Sequence, residues 1–269
     1  KILNSSKSFS LFHSLEWLSL IKKSMDLKII YIATFNQRKD IISVMPLCIK
    51  KFFFLKLIGS PLRGTHTQKM GPLILTKDTE SYTYKDIIFS IMNLIDFKYN
   101  YFELVFSNNL GENENYKLKG FINYKFKTNF IKLINEDQNW KGLHSRARNM
   151  IRKARKNNVK VSIVEISEEW IENFYKLLED TFLKQGMLVP HSIDFYKNLF
   201  FLRKNIVCLE AKANDQFLSG GIFLFNQENI TFLSGVSSPI GMKLAASSLL
   251  QWKIIKYGIE NKFSIYDMG

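Results

Sequence analysis

The chain has 269 residues, of which 46% are hydrophobic and 14% aromatic, and 38 lysines and arginines against 24 aspartates and glutamates give it a formal net charge of +14. This composition excludes a disordered chain, and the length is typical of one large or two smaller domains. The longest apolar run, 41–49, falls far short of the ~18 residues of a membrane span, so we expect no membrane-embedded domain.

The first half of the sequence predicts a helix, an antiparallel hairpin with a third strand, and then a helix and a strand. Apolar residues recur every three residues across 10–24, which indicates an amphipathic helix. Two β-rich runs enclose the polar turn 36–40, which is typical of a hairpin. In chain order the predictions are helix 10–24, strands 28–34, 41–50 and 52–58, loop 59–72, helix 85–97, strand 101–106 and polar loop 110–119.

The second half repeats the combination of hairpin, helix and strand. Ser167 is a predicted N-cap, because Glu168 and Glu169 follow it and suit the positive end of a helix dipole. The predicted elements are helix 143–156, strand 159–165, the helix after Ser167, helix 192–201, strands 206–213, 217–225 and 230–235, helix 244–258 and strand 263–268. This weak structural repeat predicts two domains, 1–135 and 136–269.

Residues 139–160 form the strongest local signal, with eight lysines and arginines and no acidic residue. Only seven arginines occur in the chain, and four of them lie within ten residues: Arg146, Arg148, Arg152 and Arg155. A solvated basic face is one interpretation; the other is a phosphate-bearing ligand, because guanidinium groups form charge-assisted, often bidentate bonds to phosphate. The candidate substrate-binding residues here are Arg146, Arg148, Arg152 and Lys153.

The strand–loop–helix at 230–257 is a second candidate site. Small residues at the start of the helix would let a ligand approach the backbone, and free N–H groups in a first helical turn bind anions. A purely structural helix start is the alternative. The candidate donor-binding residues in the segment 236–257 are Gly241, Met242, Lys243, Leu244 and Ala245.

The loop 61–72, with proline and glycine at both ends, is a third candidate site. Arg63 and Thr65 are candidate substrate-binding residues, and His66 is either a proton acceptor or an exposed loop residue. We expect His13 and His144 on helix surfaces. The sequence contains no P-loop, dinucleotide fingerprint, HExxH or Gly-x-Ser-x-Gly motif, so we predict neither a metal site nor a permanently bound cofactor.

The two cysteines, Cys48 and Cys208, lie in separate apolar runs, which favours buried small hydrophobes over a metal or disulfide site. Residues 1–22 lack the uninterrupted apolar core of a signal peptide. We therefore expect a reducing, cytoplasmic location.

Two stretches resemble motifs of the FemAB family of acyl and aminoacyl transferases. Residues 143–156 (LHSRARNMIRKARK) are similar to the R-x-x-I-R-K-A-x-K helix of that family, and 265–269 (IYDMG) resemble its Y-D-F/M-G motif. Their order and spacing, together with 62–75 and 181–195, extend the resemblance over nearly the whole chain. Because the family continues beyond this final glycine, and the sequence starts at a lysine, we expect missing residues at both ends and an incomplete second domain.

The resemblance implies an α+β fold with two GNAT-like (N-acyltransferase) domains, each with a mixed, mostly antiparallel sheet flanked by helices. It implies transfer of an acyl or aminoacyl group, from acyl-CoA or aminoacyl-tRNA, to an amine of a peptidoglycan or surface-polysaccharide precursor. In this interpretation the first domain binds the acceptor and the second the donor. Asp267, at a strand end, is the first candidate proton acceptor and His66 the second, although a structural role for Asp267 is equally compatible with the sequence.

The partners expected from this interpretation are a phosphate-bearing acceptor and, for an aminoacyl donor, tRNA. With no predicted span, peripheral association with a membrane-linked precursor is compatible with the sequence. The alternative function is a non-catalytic RNA-binding or scaffold protein that uses the basic helix.

Overall fold

The computed structural model describes residues 9–75, 84–95, 99–105, 122, 124, 126–226 and 228–269. The predicted loop 110–119 and the end of the predicted helix 85–97 lie outside these residues. The chain divides into two compact units, Lys1–Phe126 and Lys127–Gly269. The sequence places the boundary near 135, whereas strand Phe130–Lys132 pairs inside the second unit.

The first unit is built on a five-stranded sheet, and its predicted hairpin is present. β1 and β2 are antiparallel, β3 continues antiparallel to β2, and β5 pairs parallel to β3. β4 pairs with β2 beside β3. The elements are α1 (Leu15–Met25), β1 (Lys28–Phe35), β2 (Ile41–Phe52), β3 (Leu55–Ser60), β4 (Leu73–Ile74), α2 (Tyr84–Leu94) and β5 (Tyr101–Leu104).

The second unit contains a six-stranded sheet in the order β6-β11-β10-β9-β8-β7. All neighbours are antiparallel except β10 and β11, which are parallel and joined through helices. Its elements are β6 (Phe130–Lys132), α3 (Glu136–Gly142), α4 (Ser145–Lys156), β7 (Lys160–Val164), α5 (Glu168–Leu183), α6 (Ile193–Asn198), β8 (Ile206–Ala213), β9 (Gln216–Asn226), β10 (Asn229–Ser237), α7 (Pro239–Lys243), α8 (Ala246–Glu260) and β11 (Ile265–Asp267).

Helices cover both faces of this second sheet. An atom added at Gly220 would meet Phe174 of α5, whereas one added at the next residue, Gly221, would meet Leu250 of α8. Because successive residues of a strand point to opposite faces, α5 and α8 pack on opposite sides of β9. Ile151 and Ala154 of α4 join α8 in the larger apolar core.

The first unit has its own smaller core, with Met45 and Leu47 of β2, Ile58 of β3 and two isoleucines of α2. Cys48 and Cys208 are free and buried, which confirms their interpretation as small hydrophobes. Burial raises the pKa of the Cys48 thiol to about 11 and that of Cys208 to about 12, so both stay neutral.

Candidate functional site

The basic helix α4 forms because its apolar stripe is buried while its cations face outward. The side chain of His144 caps the helix by accepting a hydrogen bond from the Arg146 backbone N–H at 3.3 Å. Arg146, Arg152 and Lys153 are exposed. The helix is therefore anchored by packing and leaves its charge available at the surface.

Three of the four clustered arginines are in contact with their own protein. Arg148 Nη1 donates to the carbonyl of Lys141 at 3.0 Å and also to that of Leu143, which ties α4 to the end of α3. The guanidinium carbons of Arg152 and Arg155 lie 5.6 and 5.7 Å from the ring centroid of Trp140. Arg148 thus has a structural role, whereas the stacked pair is preorganised in a cation–π arrangement that keeps N–H groups exposed.

A cavity of about 250 Å³ lies where α4, β7 and α8 meet. Its apolar wall consists of Val159, Val161, Leu249 and Trp252, and its cations are Arg155, Lys253 and Lys256. Lys256 also pairs with Glu136 at 3.1 Å. We call these three cations and this wall the basic pocket.

Lys253 and Lys256 are candidate site residues that the sequence analysis did not select. They are three residues apart on α8 and so share a helix face, a pattern that is visible in the sequence. The sequence does not predict that Arg155, on another helix, lines the same cavity as these two lysines.

The loop after β10 differs from the predicted single helix start. α7 is a separate short helix, and Ala245 then takes a left-handed conformation with φ of 59° before α8 begins. Gly241 lies within α7, where an added Cβ would stand 2.2 Å from the carbonyl oxygen of Leu218. The small size of Gly241 therefore serves the close approach of α7 to β9.

The backbone N–H groups that the sequence assigned to a donor are largely used inside the protein. Gly241 N–H donates to Ser238 Oγ at 2.9 Å, and Met242 N–H to the Ser238 carbonyl at 2.8 Å. Leu244 and Ala245 donate to carbonyls of α7 at 2.9 and 3.1 Å. The side chain of Lys243 is exposed.

The available helix start is one turn later, at α8. Within the part of the chain that the structure describes, no atom accepts a hydrogen bond from the N–H groups of Ala246 and Ser247. Ala245 has no side chain that could cap them. The positive end of a 15-residue helix dipole lies here, where Ala246 is buried and Ser247 is exposed.

Asp267 is buried at the end of β11, with 9% of its surface exposed. Its Oδ1 accepts hydrogen bonds from the Thr128 hydroxyl and, at 3.1 Å, from the Gly269 N–H. Neither bond uses Oδ2. The carboxylate is thus held in place by one oxygen.

In the first unit, Arg63, Thr65 and His66 lie together on the loop that follows β3. Glu103 holds Arg63, through its backbone N–H at 2.9 Å and through Nε at 3.6 Å. Thr65 is buried and its hydroxyl donates to the Leu62 carbonyl at 2.7 Å, which is a structural role. His66 has a left-handed backbone with φ of 55°.

The sequence predicts His13 on a helix surface. This prediction is wrong, because the side chain is buried with 4% of its surface exposed. Its Nε2 donates to the Gly71 carbonyl at 3.3 Å, and its Nδ1 accepts from the Ser10 N–H at 3.2 Å. Burial lowers the pKa of His13 to about 4, so the ring is neutral at physiological pH. His13 lies in a 3₁₀ turn before α1, so the helical periodicity of 10–24 does not predict its burial.

No group of histidine, cysteine, aspartate and glutamate side chains suited to a metal ion occurs among the described residues. In those same parts of the chain, the helices are too short or too polar to cross a membrane.

Residues 145–269, from α4 to the last strand, match the family model described as an acetyltransferase (GNAT) domain. No curated protein sequence matches the chain.

Solved structures with similar folds cover nearly the whole chain. FemX has a TM-score of 0.71 at 15% identity, over all of this chain and 85% of that one. L-PGS from Bacillus licheniformis has a TM-score of 0.53 at 13% identity, over all of this chain and 76% of that one. A conserved protein of unknown function from Bacteroides thetaiotaomicron has a TM-score of 0.57 at 11% identity, over 98% and 83%. The FemAB-like, GNAT-type α+β fold expected from the sequence is confirmed.

Proposed function

We propose that this chain, whose residues 145–269 match the acetyltransferase (GNAT) domain model, moves an acyl or aminoacyl group to an amine of a cell-wall or surface-polysaccharide precursor. The observation that carries the proposal is this match, which spans the basic pocket, the start of α8 and Asp267. The donor is a CoA thioester or an aminoacyl-tRNA, and both carry phosphates.

The second unit offers two features suited to donor phosphates. The N–H groups of Ala246 and Ser247 point along the helix dipole of α8, an arrangement that favours an anion. The basic pocket adds Arg155, Lys253 and Lys256 beside an apolar wall that suits the hydrocarbon part of a nucleotide-linked donor. Arg146 and Lys153 provide further exposed cations on α4 for steering the donor.

The chemistry needs positioning more than a covalent intermediate. The neutral acceptor amine attacks the carbonyl carbon of the donor, a C–N bond forms, and the C–S or C–O bond to the leaving group breaks. Backbone N–H groups stabilise the developing oxyanion, and the amine proton passes to a base while the leaving thiolate or alkoxide takes up a proton. We assign the base to Asp267, because its Oδ2 stays outside the two bonds that hold Oδ1; His66 is the second candidate.

Titration calorimetry with acetyl-CoA and, separately, with an aminoacyl-tRNA tests this function. We expect saturable binding of one donor. Lys253→Gln/Lys256→Gln should weaken that binding about ten-fold or more, since each lost charge–phosphate bond contributes about 1 kcal/mol. The matched control, Lys22→Gln/Lys184→Gln, removes two exposed lysines outside the pocket and should bind as the parent does. If neither donor binds, the proposal is wrong.

The alternative function is a non-catalytic RNA-binding or scaffold protein, and the same titrations distinguish it from an acyltransferase. It predicts affinity for generic RNA that falls steeply with salt, without preference for a charged acceptor end. The internal contacts of Arg148 count against it, because they withdraw one arginine from the surface that such a protein would use.

A further inference from the structure

The hairpin between β2 and β3 ends in three consecutive phenylalanines that are exposed to solvent. Phe52, Phe53 and Phe54 have 55, 88 and 86% of their surfaces exposed. Phe52 and Phe53 pack edge to face on each other, with ring centroids 4.9 Å apart. Exposed aromatic clusters are uncommon on soluble surfaces and mark places of interaction. We call Phe52–Phe54 the aromatic tip.

The turn itself violates the usual residue preference of two-residue hairpins. Phe53 has a left-handed backbone with φ of 53°, a position where glycine or asparagine is favoured. For a bulky side chain this conformation is strained. A phenylalanine at this position therefore does not serve the turn, which indicates a role for the ring outside the fold.

Lysines stand directly behind the aromatic tip. Lys51 and Lys56 are cross-strand partners, so two like charges face each other on one side of the hairpin, and Lys50 is adjacent. No carboxylate pairs with these three lysines among the residues that the structure describes. Like charges directly opposite each other destabilise a hairpin, and an external anion would relieve this repulsion.

The hairpin projects beyond its neighbouring strand. β1 begins at Lys28 opposite Ile49, and β2 continues for three further residues, to Phe52, with which no strand of the described residues pairs on that side. At ~3.3 Å per residue, this places the aromatic tip about 10 Å beyond Lys28, the first residue of β1. From its outer end inward, the hairpin therefore presents the aromatic tip first and the lysine side chains behind it.

We propose that the aromatic tip inserts into the surface of a lipid membrane, with Lys50, Lys51 and Lys56 on anionic headgroups. Aromatic rings at the acyl boundary with cations at headgroup depth match the layers of a bilayer. Single-stranded RNA is less suited, because it needs aromatics and cations side by side along one groove, whereas here they are stacked along the hairpin axis. This interaction is independent of acyl transfer and would hold the chain near a membrane-linked acceptor.

Flotation with vesicles tests the proposal without any acyl donor. We expect the chain to float with vesicles of 30% phosphatidylglycerol in phosphatidylcholine and much less with phosphatidylcholine alone. Phe53→Asn/Phe54→Ser should reduce binding more than ten-fold, and Lys51→Gln/Lys56→Gln about 25-fold, since each lysine near an anionic surface contributes about five-fold. The controls are Phe89→Ser, which changes an aromatic on α2 with 59% of its surface exposed, and Lys22→Gln on α1; both should bind as the parent does.

Thermal melts show whether each variant is folded, and we expect melting temperatures within a few degrees of the parent because the changed side chains are exposed. Failure of the parent to float with anionic vesicles would overturn the proposal. So would full binding by Phe53→Asn/Phe54→Ser, or equal losses in the controls. An oligoribonucleotide that binds through the same side chains while vesicles do not would replace the membrane by RNA.

Discussion

At the scale of single residues, His13 shows how burial fixes a protonation state. Its Nδ1 faces a backbone N–H, so a protonated ring would place two donors against each other. Its Nε2–H meets a carbonyl of the loop that follows β3. Neutral His13 thus links the segment before α1 to the loop that carries Arg63 and His66.

Because the pKa of His13 is lowered from 6.5 to about 4, the unfolded chain binds more protons than the folded one between these values. We expect stability from this residue to be complete above about pH 6.5 and to be lost as the pH falls toward 4, by roughly 3 kcal/mol at most. Urea unfolding of the parent and of His13→Gln, from pH 4 to 7, measures this. The variant should have the smaller pH slope; equal slopes would contradict the prediction.

At the scale of elements, α4 divides its arginines between structure and surface. Arg148 closes the α3–α4 connection through two carbonyls, whereas Arg146 is exposed two residues earlier on the same helix. The pair therefore places a structural arginine and an exposed arginine within one turn.

We expect Arg148→Gln to lower the free energy of unfolding by about 1 kcal/mol, because charge-assisted bonds to carbonyls are lost from a half-buried site. Arg146→Gln should leave stability unchanged within ~0.5 kcal/mol and instead weaken donor binding. Chemical denaturation and calorimetry on both variants measure these effects. Equal stability of the two variants would show that the Arg148 contacts contribute nothing.

Periodicity predicted the longer helices and strands of the described residues, but not β4, β6, α3 and α7. These four elements are two to seven residues long, too short to show a hydrophobic period. The N-cap at Ser167 is confirmed, since its side chain accepts from the Trp170 N–H. The break between α7 and α8 was not predictable, because alanine rarely adopts the left-handed conformation that Ala245 takes. The basic pocket was not predictable from the sequence either, because it depends on how α4 packs against α8.

At the scale of the whole molecule, the net charge of +14 is unevenly distributed. Eight positive charges lie within residues 139–160 without an acidic residue, which leaves 14 − 8 = +6 for the rest of the chain. A concentrated charge creates a stronger local potential than the same charge spread over a surface. Binding of polyanions should therefore depend on the basic segment more than on net charge.

Heparin affinity chromatography with two variants of equal net charge tests this. One replaces Arg146, Lys153, Lys156 and Lys160 by glutamine; the other replaces the dispersed exposed lysines Lys22, Lys39, Lys184 and Lys204. We expect the first variant to elute at clearly lower salt than the second. Elution at the same salt would mean that net charge alone determines polyanion binding.

The stacking of Arg152 and Arg155 on Trp140 has a spectroscopic consequence. Trp140 also lies edge to face on Trp252, with ring centroids 5.0 Å apart, and Trp252 forms part of the wall of the basic pocket. An indole emits according to the charges beside its ring, so an anion that draws either guanidinium away from Trp140 changes its fluorescence. The site thus contains its own optical probe, and occupancy by an unlabelled ligand can be followed through the intrinsic emission of the protein.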